Sequence, residues 1–383
     1  MDMIHLSDIL QAHLKAYKKK HRLSCQQSKV LGSLSKCRTG ALGYAEVTCE
    51  CGQVSRMALS CRDRHCPRCQ GRDTAEWMLR ETGKLLPVPY YHLVFTVPEQ
   101  LHPFFRYDEA LLYGTLFDCA VGSVQTFARN DARLGCKLGI TAILHTWGQR
   151  LQYHPHVHMI VSGGGIDDTG NWRQVDPSRG PWLFSVKALS LHFRGRLLGA
   201  LERALRRDAL RIPPGLQPLA VLGEASRRKW SVFSQCASAG ADKVLRYLGR
   251  YTRKAAIGES RLLGLSDGQI RFRAKDYRLG TEGSIALNSE EFIRRFCTHI
   301  LPRGFRRLRQ YGWQVRGVEH ARQACRVAAL ATRKQWVALI TICQQEVQRH
   351  LQAQSHCPQC GCNCDNLPPP VLLLAGYPSI DTG

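Results

Sequence analysis

Three groups of residues in this chain have types and spacings that suit chemistry. The first is His154-Pro-His156-Val-His158-Met-Ile-Val, three imidazoles at alternate positions followed by apolar and β-branched residues. In an extended strand side chains alternate between faces, so His154, His156 and His158 share one face, about 7 Å apart, while Val157 and Met159 point the other way. Two such imidazoles can hold one metal ion, and a third ligand from elsewhere would still leave positions open for a phosphate oxygen. Pro155 withholds a ladder donor, which places His154 at a strand start or edge and makes His156 and His158 the predicted ligand pair.

The second group is a tyrosine pair in ADKVLRYLGRYTRKAAIG, residues 241–258. Val244, Tyr247, Leu248 and Tyr251 recur at i, i+3, i+4 and i+7, one face of a helix. A core stripe is the ordinary meaning of that pattern. Here Arg246, Arg250, Arg253 and Lys254 lie close by, and such a basic surface fits phosphate better than plain solvent. A phenol, with an ordinary pKa of about 10, becomes a competent phosphoryl nucleophile when positive charge depresses that value. A metal that polarises a scissile phosphate, with a tyrosine in reach, makes a strand-cleaving site. No nucleoside triphosphate is required, and the sequence has no GxxxxGK[ST] loop.

Cysteines form the third group. Seventeen are present, and the N-terminal sequence has spaced apolar residues with a basic end rather than a secretory pattern, so a cytoplasmic chain with reduced thiols is expected. Zn²⁺ takes four nitrogen or sulfur ligands, commonly from paired cysteines on tight turns. Cys66-Pro-Arg-Cys69 is such a knuckle, and Cys49-Glu-Cys51-Gly is a tighter pair with a glycine for its turn. The predicted zinc set is Cys49, Cys51, Cys66 and Cys69, with Cys37, Cys61 and His65 as substitutes or a second site. With few apolar residues nearby, metal binding would supply much of this segment's folding energy. Near the other end, Cys357-Pro-Gln-Cys360-Gly-Cys362-Asn-Cys364 resembles half of a zinc ribbon; metal binding and an unstructured thiol-rich tail are both open readings. Cys119, Cys136, Cys236, Cys297, Cys325 and Cys343 are scattered, as small buried hydrophobes usually are.

These groups need elements to position them. Residues 154–161 read as a strand running into a glycine turn, and residues 91–98 read as a second strand candidate; pairing of the two is an arrangement the sequence leaves open. Residues 319–351 read as helical. The 383-residue length suits two or three domains: a zinc module over 1–85, a catalytic α+β domain over 86–320, and a helical tail with a cysteine cluster over 321–383. Lys and Arg number 54 against 30 Asp and Glu, a net charge of +24, which favours nucleic acid over a small neutral substrate. Arg294, Arg295, Arg303, Arg306, Arg307 and Arg309 crowd one stretch, with Phe296 and Phe305 interleaved. Arginine suits phosphate, and aromatic faces can stack unpaired bases. No apolar run approaches the roughly 18–20 residues of a membrane span.

The strings HTWGQRLQYHPHVHMIVSGGG, SCRDRHCPRCQG and RYLGRYT, in addition to FRGRLLGAL and EFIRRFCTHILPRGFRRLRQYGW, resemble the rolling-circle HUH-type tyrosine transposases of the insertion sequence ninety-one family. The likeness covers roughly residues 20–320. It implies an antiparallel-sheet-centred α+β nuclease domain and a divalent ion, Mg²⁺ or Mn²⁺, at His156 and His158. It further implies Tyr247 and Tyr251 as nucleophiles, a single-stranded DNA intermediate, a 5′-phosphotyrosine linkage and zinc at the N-terminal cysteines. Two positions depart from the family pattern: Cys49-Glu-Cys51 replaces the usual CxxC, and Arg253 stands where a histidine is common. Two other classes fit parts of the sequence. A histidine-triad nucleotide hydrolase would explain the alternating histidines alone, and a non-catalytic zinc protein that binds nucleic acid would explain the cysteines and the charge.

Overall fold

A computed structural model describes residues 4–69, 77, 81, 86, 88–176, 180, 182–236, 255–275, 280–315, 359–360 and 371–373. Helix α1 (Leu6–Lys20) buries Leu6, Ile9, Leu10, Leu14 and Tyr17, a stripe at three- and four-residue spacing, and ends on Lys18, Lys19 and Lys20, which suit the negative end of the helix dipole. Helix α2 (Cys25–Leu34) starts at Ser24, whose hydroxyl accepts from the Gln27 backbone while the Gln27 side chain accepts from the Ser24 N–H. A hairpin follows, β1 (Tyr44–Thr48) with β2 (Val54–Ala58), closed by the Cys49–Gln53 turn with Gly52 in the left-handed region.

The central sheet begins with β3 (Tyr90–Thr96). After α3 (His102–Tyr107) and α4 (Glu109–Asn130) come the long strands β4 (Cys136–Trp147) and β5 (Tyr153–Asp167), then β6 (Trp172–Gln174). Helices α5 (Val186–Arg206) and α6 (Pro218–Arg227) lead into β7 (Val232–Cys236). A three-stranded meander, β8 (Leu262–Ser266), β9 (Gln269–Lys275) and β10 (Glu282–Asn288), precedes α7 (Ser289–Cys297) and β11 (Leu308–Tyr311). The last described element, β12 (Val371–Leu373), pairs with β1. The central sheet runs β11-β4-β5-β3-β7, with β6 against β5, and every pairing is antiparallel. This is the α+β, antiparallel-sheet-centred architecture expected.

Alternation along the strands divides the sheet's two faces. Leu93 and Phe95 of β3, Leu138, Ile140, Ala142 and Leu144 of β4, and Val157, Met159 and Val161 of β5 enter one core with α4 and α5. A second core joins α1 and α2 to β8, β9 and α7, and it includes Cys37 and Cys66. The first helices thus share their apolar interior with residues 256–300. A hydrogen bond of 2.5 Å between His5 and Glu259 and an ion pair of 2.8 Å from Lys20 to Glu290 accompany that packing. Among the described residues, no helix is long and apolar enough to cross a membrane.

The strand candidate at 91–98 forms β3 over Tyr90–Thr96, and the structure pairs it with the histidine strand: Val94 lies opposite His158 and Thr96 opposite His156. The expected glycine turn after the histidines is instead a continuation of β5. Gly163, Gly164 and Gly165 stay extended because backbone passes too close for a side chain. A Cβ on Gly163 would sit 2.8 Å from the Pro89 carbonyl oxygen, and one on Gly165 would overlap the Lys137 carbonyl. The tyrosine helix expected over 241–258 lies outside the described residues except for its end; residues 255–258 are not helical, and Ala255, Ala256 and Ile257 are buried. The helix expected over 319–351 lies outside the described residues.

Two glycines separate these constraints experimentally. Gly165→Ala should cost about 1–3 kcal/mol, since backbone on a neighbouring strand must yield. Gly114→Ala, in open space within α4, should stabilise by up to about 1 kcal/mol. Urea denaturation midpoints of both variants check the pair.

Candidate functional site

The register of β4 on β5 places His145 directly opposite His156, with His158 two residues further along the same face. One nitrogen from each of these three imidazoles falls within 4.8 Å of the others. The Nε2 atoms of His156 and His158 are 3.0 Å apart. Neighbouring ligands of an octahedral ion with bonds of about 2.1 Å are separated by about 3.0 Å, so the donor set fits a divalent cation. His156 and His158 are thus brought together. His154 is not part of the cluster; it sits at the start of β5, and β5 itself is interior, with β4 and β3 on either side.

Neighbouring groups aim the rings. His156 Nδ1 donates to the His154 carbonyl at 2.6 Å, which leaves Nε2 as the lone-pair nitrogen facing the cluster. His158 Nδ1 lies 3.0 Å from Nε2 of His92, and the two rings stack nearly parallel at 5.2 Å. With His158 Nε2 turned to a cation, its Nδ1–H donates to His92. Trp147 stacks on His145 at 4.5 Å, and the guanidinium of Arg307 lies over the Trp147 ring. All four histidines are buried, from 3% exposure at His145 to 9% at His156 and His158. Burial lowers His156 to about 3 and His92 to about 4, because a charged ring loses solvation there. Neutral imidazole is the form that binds metal.

Sequence reasoning left the third ligand open and did not single out His145 or His92. The available signal was register. Two strands joined by a short connection, Trp147 to Tyr153, bring the end of one beside the start of the next.

The predicted zinc cysteines divide between two clusters. Cys66 and Cys69 join Cys37 and Cys61, whereas Cys49 and Cys51 join Cys360. In the first set, Cys37 and Cys66 sulfurs are 3.5 Å apart and those of Cys61 and Cys69 are 3.8 Å apart. A zinc-thiolate tetrahedron with bonds of about 2.3 Å has sulfur–sulfur edges of about 3.8 Å. Hydrogen bonding from Cys61, Cys66 and Cys69 pulls the Cys37 thiol far below its ordinary pKa, while hydrogen bonding with Cys37 and Cys61 pushes Cys66 far above. Four thiols that compete for charge in this way suit a cation at their centre.

His65, a predicted alternate, takes other partners. Its Nδ1 donates to the Asp63 carboxylate at 2.8 Å, and its Nε2 accepts from the Leu301 backbone N–H at 3.2 Å. Beside it, Arg64 donates to the carbonyls of Phe305 at 2.6 Å and Pro302 at 2.9 Å. This segment fastens the cysteine cluster to the loop before β11.

Tyr247, Tyr251, Arg246, Arg250, Arg253 and Lys254 lie outside the described residues. Arg294 and Arg295 both hold Glu291, with bonds of 2.6 Å, and those cations keep the Glu291 carboxyl down at about 2. Phe296, expected as a stacking platform, is buried in the second core, and Phe305 packs edge-on against Tyr113. Phe296 therefore presents no free face to a base, whereas Phe305 is half-buried. Arg303 and Arg306 are exposed.

A family model described as "Putative transposase" matches residues 139–322, and one described as "Transposase zinc-binding domain" matches residues 9–97. The chain is 39% identical over 319 residues to "Putative transposase y4qJ" of Sinorhizobium fredii, covering 80% of this chain and 79% of that one. It is 32% identical over 295 residues to the transposase for insertion sequence element IS801 of Pseudomonas savastanoi pv. phaseolicola, covering 72% and 67%. The chain belongs to the two-tyrosine transposases with a zinc-binding domain of the insertion-sequence-91 type. No solved structure matches it significantly. Membership in a family of DNA-cleaving and DNA-joining enzymes decides against the nucleotide hydrolase and the non-catalytic reading.

Two measurements follow from the histidine geometry. In this transposase His145→Ala should weaken Mn²⁺ binding at least about tenfold, and His92→Ala by about 10–100-fold through loss of ring orientation, both read by calorimetry. The pH response comes from burial: His92, His102 and His299 each fall from 6.5 to about 4. Between those values the unfolded chain binds more protons than the folded one, so stability rises with pH. It should be fully present above about pH 6.5 and lost as pH falls toward 4, as urea midpoints across a pH series of the metal-free protein will report.

Proposed function

We propose that this transposase cleaves and rejoins single-stranded DNA through Tyr247 and Tyr251, beside a divalent cation held by His145, His156 and His158. The observation that carries the reading is the buried three-imidazole cluster, in which one nitrogen of each ring lies within 4.8 Å of the other two. Three nitrogen donors, with no carboxylate in the cluster among the described residues, favour Mn²⁺ over Mg²⁺, whose preference is for oxygen. When bound, such an ion neutralises a phosphate oxygen and orients the scissile linkage. Zinc is assigned to Cys37, Cys61, Cys66 and Cys69, where it would hold the N-terminal module in shape.

The chain's own groups perform the exchange. A tyrosine phenolate oxygen attacks phosphorus, the bond from phosphorus to the 3′ oxygen breaks, and that oxygen leaves as a hydroxyl after gaining a proton. The 5′ phosphate remains esterified to tyrosine, so the phosphodiester energy is kept. Attack by a 3′ hydroxyl reverses the step, and the proton returns to the phenol. Two tyrosines allow two strand ends to be held at once. Arg246, Arg250, Arg253 and Lys254 would favour the phenolate and grip the backbone. Exposed Arg303 and Arg306 extend the basic surface.

Topology supports this pairing of metal and tyrosines. The segment that holds the tyrosines leaves from β7, the strand beside His92's strand β3, and Phe233 of β7 touches the His92 ring at 5.6 Å. It returns at Ala256 and Ile257, which share a core with Trp147, the ring stacked on His145.

Labelled single-stranded DNA incubated with the protein and Mn²⁺ should give an SDS-resistant covalent adduct. The adduct should vanish in the Tyr247→Phe/Tyr251→Phe double variant and fall at least about a hundredfold in His156→Ala. An adduct that survives the double variant would overturn the assignment of the nucleophiles.

A further inference from the structure

The second thiol cluster joins residues from opposite ends of the chain. Cys49 and Cys51 sit at the tip of the β1–β2 hairpin, where the Cys49 N–H donates to the Gln53 carbonyl at 2.9 Å and the Gly52 N–H to the Cys49 carbonyl at 2.8 Å. Gly52 takes a φ of +83°, which lets the turn fold back tightly enough for both sulfurs to face the same side. Cys360 approaches from 311 residues away, and its sulfur is 3.5 Å from that of Cys49. That separation is close to the edge of a zinc-thiolate tetrahedron, about 3.8 Å, and far beyond the roughly 2.05 Å of a disulfide. All three sulfurs lie within 4.8 Å of one another.

An independent observation brings the same two ends together. Strand β12 pairs antiparallel with β1, placing Leu373 opposite Tyr44, Leu372 opposite Ala45 and Val371 opposite Glu46. A three-residue strand makes few ladder bonds and is a weak anchor by itself. Beside it, three soft ligands converge at the hairpin tip.

We propose that Cys49, Cys51 and Cys360 bind a second zinc ion, distinct from the one assigned to Cys37, Cys61, Cys66 and Cys69, and that it clasps the C-terminal tail to the N-terminal hairpin. Zinc completes its tetrahedron with a fourth donor, for which another tail thiol or a water suffices. The clasp is more labile than the first site, because Cys51 and Cys360 are exposed whereas Cys37 and Cys66 are buried. Pairing of β12 with β1 is then metal-dependent.

The test uses the full chain purified under reducing conditions. Metal analysis should find about two zinc ions in the parent and about one in Cys360→Ser and in Cys49→Ser/Cys51→Ser. A mild chelator should release one equivalent quickly and one slowly from the parent, with the quick phase missing from Cys360→Ser. Backbone amides of β1 should exchange faster in that variant, while thermal unfolding of the central sheet stays in place. Cys66→Ser should remove the slow equivalent instead, which separates failure of the first site from failure of this one. Unchanged zinc content in Cys360→Ser overturns the clasp. A Cys49–Cys360 disulfide that persists in place of zinc after reduction would do the same.

Discussion

The pairing register of β4 against β5 is the constraint on which the rest of this molecule depends. A shift of one residue along either strand would turn its histidines toward the apolar core and its valines and leucines toward the site. What prevents that slip is the opposite face, where Leu138, Ile140, Ala142 and Leu144 meet Val157, Met159 and Val161 under α4 and α5. The hydrophobic core therefore orients the chemistry by occupying the side the imidazoles do not. Burial that stabilises the sheet also strips the ring cations of solvation, so the same packing keeps the histidines in the form a metal needs.

The zinc module is a continuation of this scaffold. Cys37 and Cys66 belong to a core built from α1, α2 and α7, and Arg64 and His65 bond to carbonyl and amide groups of residues 301–305. That loop leads into β11, which pairs with β4 and sets Arg307 above Trp147. A continuous path of packed and hydrogen-bonded groups thus runs from the cysteine cluster to the ring stacked on His145. Some of the basic charge in the sequence is consumed along the way. Arg294 and Arg295 hold Glu291, and Arg309 covers Phe117 and Phe305 at 4.5 and 5.4 Å. Arginine stems and planes can pack as well as pair, so net charge does not by itself count the groups offered to phosphate.

Local signals were legible where the chemistry is local. Alternating histidines on a β-branched strand, a second strand at 91–98, a tyrosine pair at helical spacing and a CPRC knuckle each follow from one stretch of chain. The first two agree with the structure, and the tyrosine helix lies outside the described residues. Signals failed where proximity comes from distant segments. His145 carries no motif, and it reaches the site because a bulged register brings Trp147 opposite Tyr153. The glycine run at 163–165 has the composition of a turn, yet its purpose is close approach by Pro89 and Lys137, partners that composition does not reveal. Phe296 has the spacing of a stacking platform, but the second core needed its volume.

By itself, the sequence determined the kinds of chemistry available: imidazoles on one strand face, thiols in knuckles, phenols one helical turn apart, and a net charge of +24 that selects polyanions. It determined these because side-chain type and short-range periodicity are properties of the chain alone. Tertiary structure decided which groups share a centre. It chose His145 as the third imidazole, divided seven cysteines between two clusters, and brought Cys360 to a hairpin 311 residues away. Such choices depend on strand register and on which apolar faces bury each other, and those are set by the free energy of the whole fold rather than by any one segment.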